Sequence, residues 1–135
     1  MQPINVKCRK LKAFQDFPLP NKVLPHRGLD LRLAISRDKT LCLLAGEIQT
    51  VPTGVQVFIP PKYQGEIKPR NDLIQLYGLL TLPISIPNLS RGEIRVTLWN
   101  TSKQKIILKR GDIIARLSVL PIPGFNIEEV HEWET

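Results

Sequence analysis

Prolines recur along the whole chain, at twelve of its 135 positions. Proline breaks helices because it lacks an amide hydrogen, whereas turns and sheet edges tolerate it. Between the prolines, apolar residues often occupy every second position, as Ile94, Val96 and Leu98 do. This period is typical of a half-buried strand. The sequence therefore predicts an all-β fold.

Short strands separated by turn residues predict a β-sandwich or closed jelly roll in a single domain. One short helix is predicted at about 71–78, because Asn71 suits an N-cap, Asp72 a first turn and Gly78 the C′ position. The predicted strands are 4–11, 28–35, 40–44, 47–51, 54–59, 63–69, 92–100, 104–110 and 113–122.

The segment 73–90 contains no charged residue. It is long enough to raise the question of a membrane span. Pro83 and Pro87 lie inside it, however, and strand patterns flank it on the C-terminal side. We therefore expect no membrane span.

Cysteine usage and the N-terminus indicate the compartment. Cys8 and Cys42 lie in alternating stretches, and we expect both to be reduced thiols in strands. The N-terminal residues lack the apolar region of a secretory signal. These features predict an intracellular protein, cytoplasmic or nuclear, that is not secreted. His26 and His131 have no ligand partners at a suitable spacing, so no zinc site is expected.

The formal net charge is +7, and it is unevenly distributed. The last eight residues, 128–135, hold four of the twelve acidic side chains and no Lys or Arg. A basic body suits an anionic partner such as nucleic acid, a nucleotide or an acidic protein. No stretch combines a dense Lys/Arg run with aromatic residues, so a scattered, solvated basic surface explains the charge equally well.

Several stretches occur in a characteristic order: LPHRGLDLRLA, VPTGVQVFIPPKYQGEIKPRNDL, YGLL, SRGEIRVTLWN and RGDIIARLSVLPI. Together they resemble the trimeric dUTPase family. The resemblance implies a dUTPase-like β-barrel or jelly roll over residues 1–122, assembled as a threefold homotrimer with active sites shared between subunits. It also implies that the acidic tail, 123–135, packs on a neighbouring subunit and lacks the family's glycine-rich arm.

The family's reaction is a Mg²⁺-dependent attack of water on the α-phosphate of dUTP, which yields dUMP and pyrophosphate. By resemblance, Asp30 occupies the position of a carboxylate that contacts metal-bound waters. Arg70 is kept in the second motif, where Asn71 and Asp72 replace a serine and a glycine. Arg116 stands where the family commonly has glutamine.

The third motif departs further from the family. Alignment on residues 91–93 places Pro87 where the family has the aspartate that orients water, and Ser90 where it has the tyrosine that packs on deoxyribose. No Asp, Glu or His occurs in 73–90. Asp72 is also expected to cap the helix end and to repel a triphosphate. The resemblance therefore implies no catalytic residue and no metal site, in a degenerate nucleotide pocket of Asp30, Arg70, Asn71, Asp72, Pro87, Ser90 and Arg116.

The selective loss of these groups favours a non-enzymatic, dUTPase-like scaffold for protein interaction or regulation. Such a protein is similar to adenovirus early-region proteins of the same fold, with a host or regulatory protein as partner and no cofactor. The alternative is a nucleotide-binding protein or a residually active dUTP diphosphatase, for which Mg²⁺ is expected. Nucleic-acid binding, supported by charge alone, ranks third.

Overall fold

The structure is a computed structural model that describes residues 4–24 and 27–133. These residues form ten strands, one α-helix and a short 3₁₀ turn at Lys12–Phe14, in agreement with the predicted all-β fold. The strands are β1 (Lys7–Lys10), β2 (Leu29–Arg32), β3 (Thr40–Leu43), β4 (Ile48–Phe58), β5 (Tyr63–Lys68), β6 (Leu79–Thr81), β7 (Ile84–Ile86), β8 (Glu93–Asn100), β9 (Ile106–Lys109) and β10 (Ile113–Pro121); the helix is α1 (Asn71–Tyr77).

Two four-stranded antiparallel sheets and one two-stranded ribbon make up the fold. The first sheet has the order β1-β4-β8-β6 and the second the order β2-β10-β5-β7, while β3 pairs with β9. Both sheets contribute to one hydrophobic core. Fully buried side chains include Leu31 and Ile67 from the second sheet and Val96 and Leu98 from the first. The alternation seen in the sequence thus marks the inner face of each sheet.

Strand β4 is one long strand, whereas the sequence predicts two strands, 47–51 and 54–59, separated at Pro52 and Thr53. A register shift between Pro52 and Gln56 opposite β8 accommodates the turn residues as a bulge. Gly54 has a φ of +72°, and a Cβ atom there would lie 2.9 Å from the ring of Phe14. The turn residues therefore bend the strand without ending it.

The uncharged segment 73–90 forms α1 and two short strands that the sequence analysis does not predict. Strand β6 pairs with β8 at the edge of the first sheet, and β7 pairs with β5 at the edge of the second. Leu79 and Thr81 are buried, which explains why these two positions of the segment carry no charged side chain. No helix among the residues described is both long and apolar enough to cross a membrane.

Helix α1 confirms the prediction at 71–78, with one difference at its start. Gly78 adopts the left-handed conformation at φ 68°, and its N–H donates to the carbonyl of Ile74. The N-cap residue is Arg70, not Asn71, and no side chain caps the helix. Asp72 is thus not the N-cap residue, but its Oδ1 accepts the first-turn N–H of Leu73 at 3.0 Å, and both of its oxygens also accept from Arg70.

Both cysteines lie in strands, as predicted, Cys8 in β1 and Cys42 in β3. Both are free. Burial raises the pKa of the Cys8 thiol, which lowers its thiolate fraction and its reactivity.

The chain continues beyond β10 as an extended segment. The N–H of Ile122 donates to the carbonyl of Lys62 at 2.8 Å. The side chains that follow are exposed, and Phe125, Ile127 and Trp133 each show more than four-fifths of their surface.

Candidate functional site

The outer face of the second sheet carries a row of charged side chains. In the strand register, Arg116 of β10 lies opposite Asp30 of β2 on one side and Lys68 of β5 on the other. Asp30 stands between buried Leu29 and Leu31, so the pleat directs it away from the core. Three strands therefore bring two cations and one carboxylate into one cross-strand row.

Arg70 joins this row from the short connection between β5 and α1. Its Nη1 donates to Asp30 Oδ1 at 3.0 Å, while Nε and Nη2 donate to Asp72 Oδ1 and Oδ2 at 3.1 and 3.2 Å. The contact with Asp72 is the bidentate fork that arginine forms with carboxylates. Every nitrogen of the Arg70 guanidinium is thus hydrogen-bonded to a carboxylate.

The ion pairs affect the titration of both partners. Hydrogen bonding to Asp72 raises the pKa of Arg70 further, and the charge of Asp30 adds to this. The same hydrogen bond is the main cause that lowers the pKa of Asp72. The triad of Asp30, Arg70 and Asp72 therefore has a formal charge of −1. The Asp72 side chain is about half exposed to solvent (51%).

Arg116 lies over the backbone of Gly28. A Cβ atom at position 28 would approach Arg116 Cγ to 2.5 Å and Cδ to 2.7 Å, and Gly28 has a φ of +68°. Glycine is therefore needed here both for its conformation and for the space that the arginine occupies. Arg116 Nε is buried and has no hydrogen-bond partner in the described part of the chain.

The structure places Pro87 and Ser90 away from this group. Strand β7 runs antiparallel to β5, with Ile86 opposite Gly65, so the chain leaves β7 toward the N-terminal end of β5. Arg70 follows the other end of β5. Five residues of extended chain separate Gly65 from Arg70, roughly 15 Å. Within one chain, the structure therefore brings Asp30, Arg70, Asp72 and Arg116 together but not Pro87 or Ser90.

The loop that contains Pro87 and Ser90 is tied to the first sheet. Leu89 adopts the left-handed conformation at φ 64°, which is uncommon for a residue with a side chain. Its N–H donates to the carbonyl of Ile59 at 3.0 Å. Pro87 is exposed and has no side-chain group that accepts a proton.

The sequence analysis missed Lys68 and Glu66, which share the outer face of β5. Their side chains lie 3.5 Å apart as an exposed ion pair. The alternation of 63–68 was the available signal, because the buried Gly65 and Ile67 separate the outward positions. Asn71 begins α1, is exposed and makes no side-chain hydrogen bond with the described residues.

The carboxylates of the triad fit a shared magnesium site better than an all-protein one. No group of three or more Asp, Glu, His or Cys among the described residues is arranged to hold a metal ion. Mg²⁺ commonly keeps several waters and binds through one or two carboxylates plus substrate phosphates. Asp30 accepts the hydrogen bond from Arg70 through Oδ1 alone, so its second oxygen is available for such an ion.

Comparison with known sequences identifies the relatives. The family model described as dUTPase matches residues 17–135. The deoxyuridine 5'-triphosphate nucleotidohydrolase of Aquifex aeolicus is 37% identical over 130 residues, covering 94% of this chain and 85% of the relative. The protein of the same name from Wolbachia pipientis subsp. Culex pipiens is 36% identical over 138 residues, covering 98% and 89%.

Solved structures share the fold. The dUTPase from phage phi11 of S. aureus superposes with a TM-score of 0.75 at 19% identity, covering 98% of this chain and 99% of that one. The dUTPase of Staphylococcus bacteriophage 80alpha superposes equally well at 18% identity, covering 97% and 99%. At such low identity these structures support the fold alone.

The expectation of a non-catalytic scaffold is wrong. Relatives 30–37% identical over most of the chain are named as nucleotidohydrolases. The sequence argument counted Asp72, Pro87 and Ser90 as losses and ranked them above Arg70 and Arg116, on which its alternative of a nucleotide-binding or residually active protein depended. These bacterial relatives also give no support to a viral origin or to a host or regulatory partner.

Proposed function

The chain belongs to the dUTPase family, and on that premise we propose that it hydrolyses dUTP to dUMP and pyrophosphate. The observation that carries the proposal is the near-full-length identity of 37% to a named nucleotidohydrolase. The charged row of the second sheet supports it, because a triphosphate needs several cations and one carboxylate that can share a metal ion.

Each charged side chain of the row has a part in the proposed reaction. Arg70 and Arg116 face the phosphates, and Lys68 extends the positive row at the neighbouring position of β5. Asp30 would hold Mg²⁺ through its available oxygen, directly or through bound water. When bound, that ion neutralises phosphate charge and holds the triphosphate in place.

Position 87 supplies no proton acceptor, so the attacking water must be oriented by another carboxylate. Asp30, which contacts Arg70 through Oδ1 alone, is the acidic side chain of the row with an oxygen left for that role. A missing base typically slows a reaction by about 10²–10⁴-fold. We therefore propose that turnover is slow for an enzyme of this chemistry.

We also propose that the site is completed by a second copy in a homotrimer. Within one chain, Pro87 and Ser90 lie roughly 15 Å along β5 from Arg70. On the first sheet, Ile48 of β4 and Leu80 of β6 pair with Trp99 of β8. More than a third of the Trp99 side chain is exposed to solvent. Exposed apolar groups of this kind suit an interface between copies.

Product analysis in ¹⁸O-labelled water tests the proposed reaction. Attack of water on the α-phosphate breaks the bond to the β-phosphate and places one labelled oxygen in dUMP, while the pyrophosphate stays unlabelled. The measurement is mass spectrometry of both products with Mg²⁺ present. Label in pyrophosphate, or release of inorganic phosphate instead, would refute this reaction.

A further inference from the structure

Arg70 is the one cation of the charged row that donates to carboxylates from all three of its guanidinium nitrogens. Asp30 takes Nη1, and Asp72 takes Nε and Nη2. By contrast, Arg116 and Lys68 have no ion pair with Asp30 or Asp72. A phosphate that binds the Nε–Nη2 edge of Arg70 must first displace Asp72.

The two carboxylates hold Arg70 in different ways. Asp30 comes from β2, forty residues away in sequence, and contacts a single nitrogen. Asp72 is two residues from Arg70, and its two oxygens cover the Nε–Nη2 edge. That edge is one of the two on which arginine can bind a phosphate or carboxylate in a bidentate fork.

The pair between Asp72 and Arg70 is open to solvent. The Asp72 side chain is half exposed (51%), against 40% for Asp30, and it also accepts the N–H of Leu73 at 3.0 Å. Exposed ion pairs are weak, because water and salt screen them. An incoming polyphosphate can therefore replace Asp72 while Asp30 keeps the guanidinium in position.

We propose that Asp72 is an internal competitor that occupies the phosphate-binding edge of Arg70 and thereby sets the affinity of the site for polyphosphates. The inference rests on the proposed function where the ligand is dUTP. The competition itself applies to any pyrophosphate or triphosphate group. Asp72 thus lowers the affinity of the site for polyphosphates without itself contacting the ligand.

Binding measurements on Asp72→Asn test the proposal. Asparagine keeps the size of the side chain but loses its charge, so the Nε–Nη2 edge becomes available. Asp38→Asn is the matched control, because Asp38 is exposed and forms no ion pair with any described residue. The probes are inorganic pyrophosphate and an α,β-imido analogue of dUTP, titrated by calorimetry at low ionic strength.

We expect Asp72→Asn to lower Kd by about fivefold, the scale of one exposed charge interaction. Asp38→Asn should leave Kd unchanged. The gain should shrink as salt is added, because the competing pair is screened. Equal affinities of the two variants would overturn the proposal. If Asp72→Asn loses its cooperative thermal transition, Asp72→Gly is titrated in its place with the same criteria.

A double-mutant cycle separates competition for Arg70 from general repulsion. In an Arg70→Gln background, Asp72→Asn should bring no gain, because there is no guanidinium edge to release. A gain that persists without Arg70 would contradict the proposal. In steady-state assays the substitution should lower KM more than it changes kcat.

The competitor role of Asp72 and the proposed hydrolysis of dUTP can fail independently of each other. If the wild-type chain does not hydrolyse dUTP but Asp72→Asn gains pyrophosphate affinity through Arg70, the proposed function fails and the competitor stands. If the wild-type chain hydrolyses dUTP and Asp72→Asn changes neither Kd nor KM, the competitor fails and the function stands.

Discussion

At the scale of single residues, the chemistry depends on contacts that residue types alone do not reveal. The sequence predicted Asp72 as a helix cap that repels phosphate, yet its carboxylate is bound to Arg70 in a fork. Motif positions singled out Asp30, Arg70 and Arg116, and the structure brings these three side chains close together. It could not show that one carboxylate neutralises the neighbouring arginine, since such pairing depends on side-chain geometry.

Replacing Pro87 with Asp should raise kcat for dUTP by about 10²-fold or more, because a positioned proton acceptor typically contributes 10²–10⁴-fold. The measurement is steady-state release of pyrophosphate at saturating dUTP. Asn at the same position is the control, since it has similar size but does not accept a proton. Equal kcat values for the Asp and Asn variants would mean that position 87 does not face the attacking water.

The pH dependence of stability should report the pairing of Asp72. Its pKa is lowered in the folded protein, chiefly by the hydrogen bond from Arg70. The pairing therefore stabilises the fold above the unfolded value of about 3.9, and the contribution is lost as pH falls through the folded pKa. Urea unfolding should show wild type more stable than Asp72→Asn near neutral pH, with a difference that shrinks toward acid. A difference independent of pH would refute this assignment.

At the scale of elements, strands with clear alternation were predictable and strands without it were not. Strands β2, β8 and β10 lie inside the predicted ranges, and α1 ends at the predicted glycine. Strands β6 and β7 were missed because each is three residues long and the chain passes between two sheets there. The continuity of β4 depends on a bulge, which local propensity does not indicate.

Gly28→Ala tests how the approach to β2 positions Arg116. The new Cβ would meet Arg116 Cγ at 2.5 Å, in a backbone conformation that disfavours side chains. We expect a loss of about 1–3 kcal/mol in the free energy of unfolding, together with a weaker affinity for pyrophosphate. Denaturant titration and calorimetry give the two quantities.

Gly46→Ala is the control for the Gly28 substitution. Gly46 also has a positive φ (+78°), but a Cβ atom there would meet nothing within 4 Å. The Gly46→Ala variant should have a lower free energy of unfolding and an unchanged affinity for pyrophosphate. If the two variants behave alike, the contact between Gly28 and Arg116 has no part in binding.

At the scale of the whole molecule, the candidate residues fall into two groups that one chain does not unite. Asp30, Arg70 and Arg116 lie on the second sheet, while Pro87 and Ser90 lie near the opposite end of β5. Motif matching assembles all of them into one pocket. The distance along β5 is a property of strand pairing, so it appears only in the three-dimensional structure.

Sedimentation should therefore show three chains in one particle at micromolar concentration. Each chain has a mass of 15.4 kDa, so the particle should sediment at three times that mass. The exposed apolar side chains of the first sheet and of the segment after β10 would become buried, because water disfavours such surface. A stable single-chain species at this concentration would contradict the shared site.

The most direct test of the account is dUTP turnover by the purified chain with Mg²⁺ at high enzyme concentration. We expect equal amounts of dUMP and pyrophosphate, at a rate at or below the low end of ordinary enzyme turnover, about 1 s⁻¹. The activity should be lost in Arg70→Gln purified in parallel, which excludes a contaminating enzyme. Absence of both products from the wild-type chain, or equal rates for the two proteins, would contradict the assignment as a dUTP diphosphatase.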